Sequence, residues 1–134
     1  MAKILGIGTD ITECLRIARM IERHGEQFTN RVYTAREVCY CQSRKQSTQH
    51  IAARWAAKGA VLKALGIGMR RGVAWTDIEI RKAPSGQPVV AVRGAVKDIV
   101  ERLGVAEVLV SMTHCRTHAA AYAMAMGREE AEEK

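Results

Sequence analysis

The chain has 134 residues, enough for one compact domain; 48% are apolar and only 4% aromatic. Its formal charge of +7 suits anionic partners: nucleic acid, a phosphate-rich small molecule or an acidic protein. No apolar run approaches the roughly 20 residues that span a bilayer, which argues against a membrane-spanning helix.

The charge is unevenly spread. The tail, residues 128–134 (REEAEEK), carries two basic and four acidic residues, whereas residues 1–127 hold 19 basic and 10 acidic ones. We therefore expect a single domain over 1–127 and a solvated charged tail over 128–134. The first ten residues, MAKILGIGTD, read as a strand rather than a secretory leader, so a cytoplasmic location is expected. Cys14, Cys39, Cys41 and Cys115 form no CxxC pair and read as buried or half-buried reduced thiols rather than zinc ligands.

In chain order, residues 4–11 alternate. Leu5, Ile7, Thr9 and Ile11 share one face; Ile4, Gly6, Gly8 and Asp10 share the other. The second face is nearly bare, open to close approach by another backbone or a ligand. Residues 12–24 predict a helix with Arg16, Arg19 and Arg23 outward and Gly25 as its stop. Thr34 and Glu37 have capping-box spacing and open a short helix to about Ser43. After a polar loop, Ser47 or Thr48 caps a long helix to Leu65, and residues 66–72 (GIGMRRG) make a basic glycine loop. Residues 76–82 and 88–93 predict a hairpin turning at Pro84, Ser85 and Gly86. Val96, Ile99, Val100 and Leu103 form a helical stripe ending at Gly104, and two strands follow over 107–114 and 118–126. The order β-α-α-α-β-β-α-β-β is an α+β pattern with an antiparallel sheet packed on a long helix.

Three features offer chemistry. Asp10 closes the bare strand face, either as a helix cap or as a carboxylate for a metal or a proton. The long helix carries an interior glycine, Gly59, which costs a helix roughly 1 kcal/mol relative to alanine. Arg54 and Lys58 share one face of it; Trp55, Gly59 and Lys63 share another. Glycine N–H groups with nearby cations suit a pyrophosphate, yet the loop follows its helix, so this is no Walker or dinucleotide fingerprint. His114 and His118 flank a tight turn without a third metal ligand. Aromatics are few, no RNP-type motif occurs and the arginines are scattered, so a nucleic-acid-binding domain is a weak alternative.

Taken together, GIGTDITE (6–13), RWAAKGAVLKALGIG (54–68), WTDIEI (75–80), SGQP (85–88) and SMTHCRTHAAAYA (111–123) resemble the holo-(acyl-carrier-protein) synthases in order and spacing. These are the small 4′-phosphopantetheinyl transferases, and the resemblance reaches to about Met126. It implies transfer of 4′-phosphopantetheine from coenzyme A to a serine of apo acyl carrier protein, releasing 3′,5′-ADP, in fatty acid biosynthesis. Asp10 matches a Mg²⁺ ligand, and Lys63 matches the catalytic lysine facing the phosphates. Arg54, Lys58, Gly66, Gly68, Pro88, Ser111, Thr113 and His114 match the coenzyme side. Arg16, Phe28 and Arg31 match the surface that docks the carrier protein. A homotrimer with sites between subunits is also implied, with no nucleic-acid or membrane partner.

Two departures stand out. The family motif has a glutamate, the second metal ligand, where this chain has Gly59; a non-catalytic homologue that binds CoA or carrier protein is therefore the alternative reading. Leu109 stands where relatives often carry histidine, and Gln27 where a basic residue is common.

Overall fold

The bare face of the first strand decides the architecture. In the computed structural model, which describes residues 3–69 and 72–128, β1 (Ile4–Glu13) runs antiparallel to β5 (His118–Gly127), and β5 pairs in turn with β4 (Val105–His114). The sheet order is β1-β5-β4. A long helix, α4 (Ser47–Ala64), packs on all three strands. It comes close because Gly6 and Gly8 lack side chains: a methyl group on Gly6 would overlap the Ala64 carbonyl, and one on Gly8 the Ala60 carbonyl. On β5, Ala121, Ala123 and Ala125 keep the same face shallow and join Ala56, Ala57, Ala60 and Ala64 in the larger core.

Three short helices follow β1: α1 (Cys14–His24), α2 (Glu26–Val32) and α3 (Ala35–Gln42). They build a second core with the first half of α4, from Ile17, Phe28, Val32, Tyr33, Cys41 and Ala52. A 3-10 turn at Trp75–Asp77 leads into the hairpin of β2 (Ile78–Lys82) and β3 (Pro88–Val92). Then α5 (Gly94–Leu103), ended by Gly104 in the left-handed region, returns the chain to β4.

The α+β class stands as expected, with four differences of detail. α2 was not anticipated; it packs Phe28, Thr29 and Val32 inward. α1 begins at Cys14 rather than residue 12, because β1 holds its pairing as far as Glu13 opposite His118. The first residues of the 76–82 segment turn as a 3-10 helix. Neither Ser47 nor Thr48 caps α4: Gln46 stands at that position and makes no side-chain cap. The thiols also divide: Cys14 and Cys41 are buried, but Cys39 and Cys115 are exposed, and all four are free. The capping box of α3 is formed, with Thr34 Oγ1 accepting from Glu37 N–H and the Glu37 carboxylate accepting from Thr34 N–H. No helix among the described residues is long and apolar enough to cross a membrane.

Candidate active site

Strand alternation turns Asp10 toward α4, where it meets Gly59 and Lys63. Its Oδ1 accepts the Ile11 N–H at 2.9 Å. The Lys63 ammonium lies 3.7 Å from the same oxygen and donates to the Thr9 carbonyl at 2.9 Å. Oδ2 rests against Gly59: a Cβ added at position 59 would overlap it. Both charged side chains reach solvent, with 58% of Lys63 and 27% of Asp10 exposed, so their mutual attraction is small and both can meet a ligand. Gly66, at φ 72°, turns the chain just beyond Lys63, and both it and Gly68 are exposed there. Arg70 and Arg71 lie outside the described residues.

The fit to a divalent ion rests on Asp10. Glu13 belongs to the opposite face of β1, and no cluster of three or more His, Cys, Asp or Glu occurs among the described residues. Mg²⁺ keeps several waters and is often held by one or two carboxylates together with substrate phosphates. Asp10 supplies one carboxylate, which fits an ion shared with a phosphate ligand and not one caged by protein alone.

Arg54 precedes Gly59 by five residues, about 140° further round the helix, so it projects to the other side of α4. There it lines a cleft of about 280 Å³ with Tyr40, Arg44, His50, Lys82, Pro88 and His114; Arg81, Ser111 and Met112 complete the wall. Arg54 is only 4% exposed and its guanidinium stacks 4.5 Å from the Tyr40 ring centre. Nη1 donates weakly to the His50 carbonyl at 3.5 Å, and Nε is buried without a partner. No carboxylate among the described residues lines the cleft. Arg81 is paired with Glu79; Arg44, Arg54 and Lys82 have no acidic partner among the described residues.

The cleft therefore gathers four of the expected coenzyme residues, Arg54, Pro88, Ser111 and His114. It leaves out the rest. Gly66 and Gly68 lie beyond the far end of α4, and Thr113 does not line it. Lys58 is a correction. Its side chain is wholly buried, with the ammonium 2.8 Å from Glu37 Oε1 and donating to the Ile78 and Trp75 carbonyls at 2.6 and 3.1 Å. All three donors are spent inside the protein, so Lys58 has none left for a phosphate. Burial pulls its ammonium below its usual pKa, against the opposing pull of Glu37. Tyr40, Arg44, His50 and Lys82 also line the cleft, and the sequence marks them only by the density of cations after Tyr40.

The three residues expected to dock a carrier protein fall on one surface. Arg16 lines a groove along α1 with Arg19 and Arg23. Phe28 and Arg31 line the adjoining groove with Gln27, Val32, Trp55 and Trp75, and the two share Met20 and His24. Trp55 stacks on Trp75 with ring centres 4.9 Å apart.

Comparison with known proteins speaks to the family and the fold. The family model of the 4′-phosphopantetheinyl transferase superfamily matches residues 6–125. A holo-[acyl-carrier-protein] synthase of Rhodopirellula baltica is 48% identical over 119 residues, covering 89% of this chain and 94% of its own. The crystal structure of the holo-[acyl-carrier-protein] synthase from Neisseria meningitidis superimposes with a TM-score of 0.84 at 32% identity, covering 92% of this chain and 98% of that one. The holo-(acyl-carrier-protein) synthase from Bacillus anthracis, in complex with CoA (3′,5′-ADP), gives a TM-score of 0.77 at 30% identity, with 93% and 98% covered.

Proposed function

The chain belongs to the 4′-phosphopantetheinyl transferase superfamily, and from that premise we propose that it is a holo-(acyl-carrier-protein) synthase serving fatty acid biosynthesis. It transfers 4′-phosphopantetheine from coenzyme A to a serine of apo acyl carrier protein. The serine oxygen attacks the phosphorus on the pantetheine side of the pyrophosphate and loses its proton. The bridging P–O bond breaks and its electron pair leaves on 3′,5′-ADP.

The observation that carries the coenzyme side of this reading is Arg54. A buried guanidinium with no carboxylate partner among the described residues costs several kcal/mol until an anion joins it. A phosphate of the nucleotide is that anion. Arg44 and Lys82 add charge at the rim, and Pro88, Ser111 and His114 shape the wall. On the other side of α4, Lys63 offsets negative charge gathering on the leaving phosphate, and Asp10 would hold a Mg²⁺ against the pyrophosphate. Such an ion, when bound, supplies charge neutralisation for phosphoryl transfer. The arginine groove of α1 and the aromatic groove of α2 suit an acidic protein presenting some apolar surface.

The expected outcome of incubating the protein with apo carrier protein, CoA and a Mg²⁺ series is a carrier protein heavier by one phosphopantetheine in the intact mass spectrum. No adduct at any Mg²⁺ concentration overturns the transfer reading. One observation favours a second reading: with Gly at position 59, one carboxylate of the expected pair is missing. If CoA binds by calorimetry while no adduct forms, the chain is a CoA-binding homologue that does not transfer.

A further inference from the structure

His50 belongs to no motif that marked the site, yet its ring lines the cationic cleft. It meets the His114 ring edge-on at 5.0 Å between centres and the Tyr40 ring at 5.9 Å. Gln49, its neighbour in the chain, binds His114 Nδ1 at 2.8 Å and so fixes the second imidazole. His50 itself makes no side-chain hydrogen bond among the described residues. The charged and titratable groups facing it are Tyr40 and Arg44 from the α3 side, Arg54 from its own helix, His114 from β4, and Lys82 and Arg81 from β2. An imidazole in such company sits among cations with no acid among the described residues to balance it.

We infer that His50 is a phosphate-binding residue whose ring takes up a proton from solvent as the anion enters the cleft and releases it as the anion leaves. The inference rests on the nucleotide reading of this cleft. In the empty cleft, burial, then the charges of His114, Arg54, Arg44 and Lys82, hold the ring below the usual histidine range, so it is neutral at neutral pH. A phosphate brings negative charge into the same space. It offsets those cations and gives the protonated ring an acceptor, so the bound state favours the imidazolium. Anion affinity therefore strengthens as pH falls through the window between the pKa of the empty cleft and the higher one of the filled cleft.

The test follows the His50 imidazole by NMR across a pH titration, with and without 3′,5′-ADP. The same range is run by calorimetry with sulfate, whose charge does not change over it. The expected result is a rise in the His50 pKa of about one unit when 3′,5′-ADP is bound, which is worth at most about tenfold in affinity. Sulfate affinity should grow several-fold from pH 8 to pH 5.5 in the wild type and clearly less in His50→Phe, which keeps an aromatic ring against Tyr40 and leaves His114 as the cleft's remaining imidazole. If 3′,5′-ADP perturbs Arg54 and His114 but leaves the His50 pKa unmoved, the inference is overturned and the nucleotide reading survives. If neither ligand perturbs any cleft residue, both fail. The wild-type titration decides the question even if His50→Phe does not fold.

Discussion

Asp10 and Gly59 compete for one small volume. With glycine at 59, the carboxylate settles against the helix where a β-carbon would otherwise stand. Gly59→Glu would press only on the far end of the Asp10 side chain, which can rotate away, so the exchange is tolerable. It sets a second carboxylate beside the first. We expect the Mg²⁺ concentration that half-saturates transfer to fall about tenfold or more, equivalent to about 1.4 kcal/mol. Mn²⁺ binding followed by EPR should tighten in parallel, a readout independent of turnover. Gly59→Ala is the control: it displaces the Asp10 carboxylate as the glutamate would, without adding a ligand. If Gly59→Glu leaves both readouts unchanged, position 59 is not a ligand position in this fold. One residue earlier, Lys58 holds a buried ion pair with Glu37. Removing one partner of a buried ion pair costs about 3–5 kcal/mol, and Lys58→Met should lose that much in urea denaturation because Glu37 stays buried behind it.

At the scale of elements, the close fit of β1 on α4 was legible in the sequence and α2 was not. Gly6 and Gly8 alternate on one face with no competing signal, so the bare surface could be read from period alone. The α2 segment, EQFTNRV, has one turn of apolar spacing between Phe28 and Val32 and only Gly25, which has no side chain to cap with, before it; its helix is held by burial against Trp55 and Tyr33. The capping box of α3 was legible too, but not the second task of Glu37, whose Oε2 accepts the Ile80 N–H across the molecule at 2.9 Å. That contact also explains why Lys58 misled: its spacing from Arg54 said they share a face, and only the tertiary fold says that a carboxylate waits there. The same holds for the cleft, whose wall is drawn from α3, α4, the β2–β3 hairpin and β4 and so has no local spacing. The legible part makes a sharp prediction. In Gly8→Ala the added methyl meets the helix backbone at the Ala60 carbonyl and the Ala64 nitrogen, which cannot rotate aside. Overpacking of this kind costs about 1–3 kcal/mol or more. Denaturation should register it, and transfer should fall as well, because the shift moves Lys63 from Thr9.

For the whole molecule, the two halves of the site pose a geometric problem. Asp10 and Lys63 lie on one side of α4 and the cleft of Arg54 on the other, and between them Ala56, Ala57 and Ala60 are fully buried. One nucleotide cannot thread that packed space within a protomer. The outer face of the sheet offers the resolution. Ile7 pairs across to Met124 and Met124 to Leu109, with Ile11 and Tyr122 nearby; Ile7, Ile11 and Tyr122 are each more than two-thirds exposed. A contiguous apolar row of this kind is a surface that a second subunit would cover. The homotrimer that the family resemblance implies, if it covered this face, would set the Asp10 edge of one subunit against the Arg54 cleft of the next. Subunit mixing tests this directly. Asp10→Asn and Arg54→Met are each expected to be inactive alone. Dissociated, mixed in equal amounts and reassociated, they regain activity if each site draws Asp10 from one subunit and Arg54 from its neighbour. Random assembly around a closed head-to-tail ring then leaves about a quarter of the sites with both residues intact. Activity near a quarter of wild type supports the shared site. Activity no greater than that of the two variants kept apart shows that each protomer builds its site alone. Ile7→Lys, read by light scattering, then separates assembly from chemistry: a monomer that still transfers would remove the trimer from the mechanism.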